Sequence, residues 1–170
     1  MITKPLPDEY AAYAAPYLDK VPGGPILEIL EYLKDNTYNF FSRMTQAQAE
    51  YAYAEGKWTL KQVLSHMIDT ERVFAFRALC FSRRDKSPLP GFEQEDYVTN
   101  SVFDARSIQS LAAEFKAVRD SNIYLYSSFT TEQSELLGTA NGNPISVRAL
   151  VYMTAGHELH HLEIVKEKYI

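Results

Sequence analysis

The chain has one cysteine, Cys80, and that alone excludes an internal disulfide. The helical pattern around Cys80 sets it away from the main apolar stripe, so it reads as an inert thiol rather than a nucleophile. No apolar run approaches the roughly 20 residues that a membrane-spanning helix needs, and the N-terminus lacks the basic start and apolar stretch of a secretory signal. These absences point to a soluble, cytoplasmic protein with no membrane partner. Basic residues are also short: 17 Lys and Arg against 22 Asp and Glu give a formal net charge of −5, and no basic cluster stands out. Little attraction for a phosphate backbone follows, which argues against nucleic acid as a partner. No segment repeats, and none is of low complexity.

What is present suits a helical core. Of the 170 residues, 46% are hydrophobic, enough for a sizeable core, and the length fits one domain over residues 1–170. Residues 1–24 carry Pro5, Pro7, Pro16 and Pro22. They read as an arm with one short helix from about Asp8 to Asp19, held to the body by Tyr10, Tyr13 and Tyr17. After Gly23-Gly24-Pro25, apolar residues from Ile26 to Phe41 recur at three and four, the period of an amphipathic helix. Gly56-Lys57-Trp58-Thr59 closes a connector, and Thr59 caps a second long helix that runs to about Arg84. Pro88, Pro90 and Gly91 stop that helix, and Gly91 to Ala105 reads as a long crossover. Ser107 caps a third helix reaching Tyr126, Asn141-Gly142 signals a small hairpin, and Pro144 with Ser146 opens a fourth helix. Four amphipathic helices with so little strand predict an all-α four-helix bundle with a long crossover and a small hairpin before the last helix.

Histidine is scarce, and its placement carries the functional reading. Three of the four histidines lie in Gly156-His157-Glu158-Leu159-His160-His161-Leu162-Glu163. In a helix, steps of about 100° stack His157 and His161 one turn apart. The same wheel puts Leu150, Met153, His157, His160, His161 and Ile164 on one broad stripe and turns Glu158 elsewhere. A lone histidine on such a face is ordinarily a core or surface residue. Three within five residues ask for a shared partner, because an unpaired polar ring is costly to bury. The fourth, His66, stands beside Val63 and Thr70 at the edge of the second helix's stripe, which runs Leu60, Val63, Leu64, Met67, Phe74, Ala78. Three histidines from two helices, with one position left to water or substrate, make the pattern of a catalytic metal site. Zinc, nickel, copper and ferrous iron all suit imidazole.

Five stretches together resemble the DinB/YfiT-like family of metal-dependent enzymes over most of the chain. They are Gly56-Lys57-Trp58-Thr59, His66 with Asp69 and Glu71, Arg72 to Leu79, Pro90-Gly91-Phe92, and His157-Glu158-Leu159-His160-His161. The resemblance implies a four-helix bundle whose divalent ion is held by one histidine of the second helix and two, a turn apart, on the fourth. Those positions are His66, His157 and His161 here. It also implies either transfer with a low-molecular-weight thiol as cosubstrate or metal-dependent hydrolysis, acting on a small-molecule substrate. The expected function is therefore a divalent-metal enzyme, with zinc, nickel or iron activating water or a small thiol. The alternative is a non-catalytic metal-binding module of a stress response. Both a monomer and a homodimer are compatible with the sequence.

A rival chemistry is written in the same residues. His157-Glu158-Leu159-His160-His161 satisfies H-E-x-x-H, the zinc-protease pattern in which the glutamate is general base. Only nine residues follow His161 and no substantial sheet precedes it, so the expected third ligand is His66 upstream rather than an acid downstream. Weaker candidates surround the three histidines. Asp69, one turn after His66, either orients that ring from behind or lies on the surface. Glu71 falls near the centre of an apolar stripe and reads as the buried partner of an arginine such as Arg77 or Arg148, or as a polar wall of the site. His160 is either a supporting ring or an alternative ligand to His161. Tyr126 and Tyr152 are candidates for a pocket wall.

Overall fold

Four long helices carry the apolar periods of the sequence: α1 Ile26–Ser42, α2 Leu60–Ser82, α3 Ile108–Ser127 and α4 Val147–Lys168. The computed structural model describes residues 1–170, apart from the side chain of Asp104. Three of these helices start at a hydroxyl cap. Thr59 accepts from the Gln62 amide while the Gln62 side chain accepts from the Thr59 amide, a full capping box. Ser107 and Ser146 each accept from the backbone amide three residues on. No helix among the described residues is long and apolar enough to cross a membrane.

The helices do not follow one another around the bundle. α1 packs chiefly on α3, α3 on α2, α2 on α4, and α4 closes the ring against α1. Sequential partners α1 and α2, like α3 and α4, therefore face each other across a diagonal. The arrangement makes neighbours of α2 and α4, the two helices that carry every histidine.

The core divides into two apolar clusters. One gathers Leu30, Phe74, Tyr126 and Met153, and the other gathers Phe41, Leu64, Phe115 and Val165. Between them lies a buried polar layer with a residue from each helix: Thr37, Glu71, Arg119 and Glu158.

β1 Leu137–Ala140 and β2 Asn143–Ser146 pair antiparallel. Asn141 and Gly142 between them have φ of 50° and 72°, the type I′ geometry that Asn-Gly favours. The crossover adds to this hairpin. The Leu89 amide donates to the Thr139 carbonyl at 2.9 Å, and the Asn141 amide donates to the Leu89 carbonyl at 3.0 Å. Past this tie the crossover forms a short helix, Gln94–Thr99, and a 3-10 turn, Phe103–Ala105.

The N-terminal arm departs from expectation. In place of one helix over Asp8 to Asp19 it makes 3-10 turns at Pro7–Glu9 and Ala12–Ala14 and a single α turn at Ala15–Leu18. Pro16 fits the first turn of a helix but would break one begun at Asp8. Leu18 and Ala14 are the buried anchors, whereas Tyr13 is exposed. Glu9 adds a polar anchor, accepting from Ser146 at 2.8 Å and from Arg148 at 2.7 Å.

The arm meets α4 at Gly156, where an added Cβ would sit 2.2 Å from the Tyr17 carbonyl oxygen. Gly156→Ala is expected to cost about 1–3 kcal/mol, the range for overpacking, by pushing the arm off α4. Thermal denaturation checks this, and an unchanged Tm would mean that the arm moves aside freely.

Candidate metal centre

α2 delivers His66 two turns past its Thr59 cap, and α4 delivers His157 and His161 on one face. Nε2 of His157 lies 3.0 Å from Nε2 of His66 and 3.1 Å from Nε2 of His161. One nitrogen from each ring falls within 4.8 Å of the other two, so the three could hold a single metal ion. Two imidazole nitrogens bound at about 2.0–2.1 Å to one ion stand roughly 2.9–3.4 Å apart for angles between a right angle and the tetrahedral one. The separations of 3.0 and 3.1 Å fit that window.

The chemistry of the donors fits as well. Burial pushes His66 down to about 4 and His161 to about 3, with neighbouring histidines adding to the effect, and holds His157 well below the usual value near 6.5. All three rings are therefore neutral at pH 7, the form that offers a lone pair. Thr70, one turn after His66, places its Oγ1 3.4 Å from His66 Nδ1. A proton on Nδ1 can donate to that hydroxyl, leaving Nε2 free to face the other rings.

Aromatic rings close the flanks. Trp58 packs at a tilt against His66 with ring centres 4.9 Å apart, and its indole N–H donates to Glu95 of the crossover at 3.1 Å. Tyr17 of the arm lies 6.0 Å from the His157 ring and 5.1 Å from the His160 ring. The sequence marks Trp58 only as part of a family motif, and Tyr17 only as an anchor of the N-terminal arm. Thr70 was within reach of helical spacing, four residues after His66.

The remaining candidates take other positions. Asp69 turns to Arg72, with Oδ1 3.6 Å from Nη1, so the group beside His66 Nδ1 is Thr70 rather than Asp69. Glu71 pairs with Arg119 of α3, not with Arg77 or Arg148. His160 is half-buried against Tyr17, outside the cluster of three nitrogens. Tyr126 and Tyr152 are core residues, the former with its hydroxyl 3.3 Å from Thr154. Glu158, which the helical wheel turned elsewhere, is buried: one oxygen accepts from Thr37 at 2.5 Å and the other from Arg119 at 2.7 Å.

A cavity of about 180 Å³ adjoins the histidines, with His66, His157, Thr70, Tyr17, Arg77 and Asn141 in its wall. A larger groove of about 850 Å³, beside Phe40, Tyr51 and Tyr169, holds no histidine. Donor chemistry, not volume, selects the smaller space.

The sequence profile of the DinB superfamily matches residues 29–165, a span running from the first turn of α1 through His161. The chain belongs to the DinB superfamily. A curated relative in Oceanobacillus iheyensis, named as a candidate metal-dependent hydrolase, is 26% identical over 150 residues, covering 83% of this chain and 85% of its own. YfiT from Bacillus subtilis is described as a probable metal-dependent hydrolase with an unusual four-helix bundle topology. It shares the fold at a TM-score of 0.76 and 16% identity, over 84% of this chain and 82% of that chain. The DinB bundle is thus the four-helix architecture expected from the sequence.

Two predictions follow from this DinB site. His161→Gln is expected to abolish metal binding, whereas His160→Gln weakens it by no more than about tenfold to a hundredfold; the reverse order in a metal titration would require α4 to be rotated. The second concerns acid. Each ring of the three takes a proton near pH 6.5 in the unfolded chain but only well below that in the fold. Their contribution to stability is complete above about 6.5 and is lost as pH falls toward 4. The Tm of metal-free protein should therefore begin to drop below about pH 6.5, more steeply than that of His66→Gln. Equal slopes would place the acid-sensitive groups elsewhere.

Proposed function

We propose that this protein is a divalent-metal-dependent hydrolase of a small molecule, with His66, His157 and His161 as the ligands. The observation that carries the reading is the convergence of three neutral ring nitrogens beside a cavity. A bound divalent ion would supply Lewis acidity and lower the pKa of a water or thiol at the site. The chain's own residues do the rest. Thr70 keeps the His66 lone pair aimed at the cluster, and Trp58, tethered by Glu95, shields that ring from solvent. Tyr17 and Phe74 pack the His157 ring in place.

The protease reading of H-E-x-x-H is set aside, because Glu158 has both oxygens engaged by Thr37 and Arg119 and cannot serve as base. The same fact favours a second reading, in which a low-molecular-weight thiol is the activated group. Among the described residues the histidine cluster contains no carboxylate to take a proton from water, and a thiol near pKa 8.5 needs less help to ionise.

Untagged protein purified without a nickel column is expected to carry about one divalent ion per chain. His157→Ala should lose that ion while its helical circular dichroism persists. Chelation should abolish turnover of small ester and amide probes, and zinc, nickel or ferrous ion should restore it. Full metal content in His157→Ala, or turnover indifferent to chelation, overturns the proposal.

A further inference from the structure

Three arginines are buried: Arg77, Arg119 and Arg148. Arg119 is matched by Glu71 and Glu158, and Arg148 by Glu9 and Glu135. Arg77 forms no ion pair with any carboxylate among the described residues. Its Nη2 donates to the Pro90 carbonyl at 2.7 Å, and its guanidinium carbon lies 5.9 Å from the centre of the Phe92 ring. A guanidinium carries five N–H donors, and burying its charge without a counterion is costly. Burial disfavours the Arg77 charge, and no carboxylate is among the groups that offset this.

Ser65 Oγ is the one fully buried side-chain polar atom without a hydrogen bond among the described residues. The spare donors of Arg77 therefore open onto space. Arg77 lines two such spaces, the cavity that His66 and His157 also line and a groove beside Phe76 and Tyr97. Arg77 follows His66 by eleven residues on α2, about 16 Å along a helix axis. Both side chains lean toward the N-terminus of α2, which keeps that spacing, and both line the same cavity, so the guanidinium stands toward one end of it and the imidazole toward the other. The wall of this cavity is mixed: Phe74, Ile145 and Met153 supply apolar surface, and the amides of Gln94, Asn141 and Asn143 supply neutral donors and acceptors.

We infer that Arg77 receives an oxyanion, carboxylate or phosphate, at the end of the substrate remote from the metal centre. The substrate then has three parts in order: a reactive group at His66 and His157, an apolar middle along Phe74, and an anionic tail at the guanidinium. The inference rests on the proposed metal site, and the test separates the two.

Cobalt-loaded protein is titrated with mercaptohexanoate and mercaptooctanoate against mercaptohexanol and mercaptooctanol, read by sulfur-to-cobalt charge-transfer absorption. Wild type should bind at least one acid about tenfold or more tightly than its matching alcohol. Arg77→Met should lose that preference, and Arg77→Lys should keep part of it. Mercaptooctyl phosphate in the same assay tells which oxyanion is preferred. Equal binding of acid and alcohol by wild type overturns the inference whether or not the variants fold, as does a preference that survives in Arg77→Met. No cobalt signal with any thiol overturns the metal reading instead. In that case mercaptooctanoate should still raise the Tm of metal-free wild type where mercaptooctanol does not, and the absence of that difference overturns the role of Arg77.

Discussion

Arg119 is the group on which the four helices converge. Its guanidinium donates twice to Glu71, at 2.7 and 2.9 Å, once to Glu158 at 2.7 Å, and once to the Leu30 carbonyl at 3.3 Å. Thr37 donates to Glu158, and Asn122 donates to Glu71 at 3.1 Å. Burial opposes the Arg119 charge, but Glu158 and Glu71 overcome that and hold its pKa above the usual range. Burial pushes the Glu158 carboxyl up, against the pull of Arg119 and Thr37. A network of this kind contributes little over a well-packed apolar core, yet losing one member costs about 3–5 kcal/mol because a charge is left alone. Its consequence is register. A slip of α4 by one residue would present His157 or Leu159 to Arg119 in place of Glu158.

That register is what the candidate metal centre needs. His157 precedes Glu158 by one residue, so fixing the carboxylate inward toward α3 turns the imidazole toward α2. Glu71 lies five residues after His66 on α2, and the same guanidinium grips it. Arg119 thus sets the axial alignment of α2 and α4 that brings His66 and His157 to 3.0 Å. The layer also divides the core, since the apolar clusters lie on either side of it. Packing is therefore free to vary above and below without moving the histidines.

The helices were legible because they are periodic and capped: Thr59, Ser107 and Ser146 start α2, α3 and α4, and Asn141-Gly142 makes the hairpin. The grouping of His66 with two histidines of α4 was also legible, from helical spacing and from the scarcity of histidine, but the choice of His161 over His160 came from the family resemblance. Glu158 was not. A helical wheel assumes one buried face, whereas α4 is buried from Val147 through Glu158, enclosed by α2, α1 and the N-terminal arm. The arginine opposite Glu71 was illegible for a different reason. Which helix stands beside α2 depends on the order of helices around the bundle, and no local pattern encodes that order. Tyr17 belongs to the same class, since it reaches the histidines from an arm whose docking rests on Gly156.

The H-E-x-x-H pattern shows how far tertiary context governs chemistry. His157, Glu158 and His161 have the residue types and helical spacing of a zinc protease, yet here the glutamate serves the fold. With Glu158 turned to Arg119, three neutral rings meet with no carboxylate among them. Protonating one ring would relieve the convergence of lone pairs, but burial holds all three below neutral pH. On the proposed reading, the cation that such a cluster would accept at pH 7 is a metal ion rather than a proton. Three neutral ligands would leave such an ion its full charge, which would strengthen its pull on whatever enters the cavity.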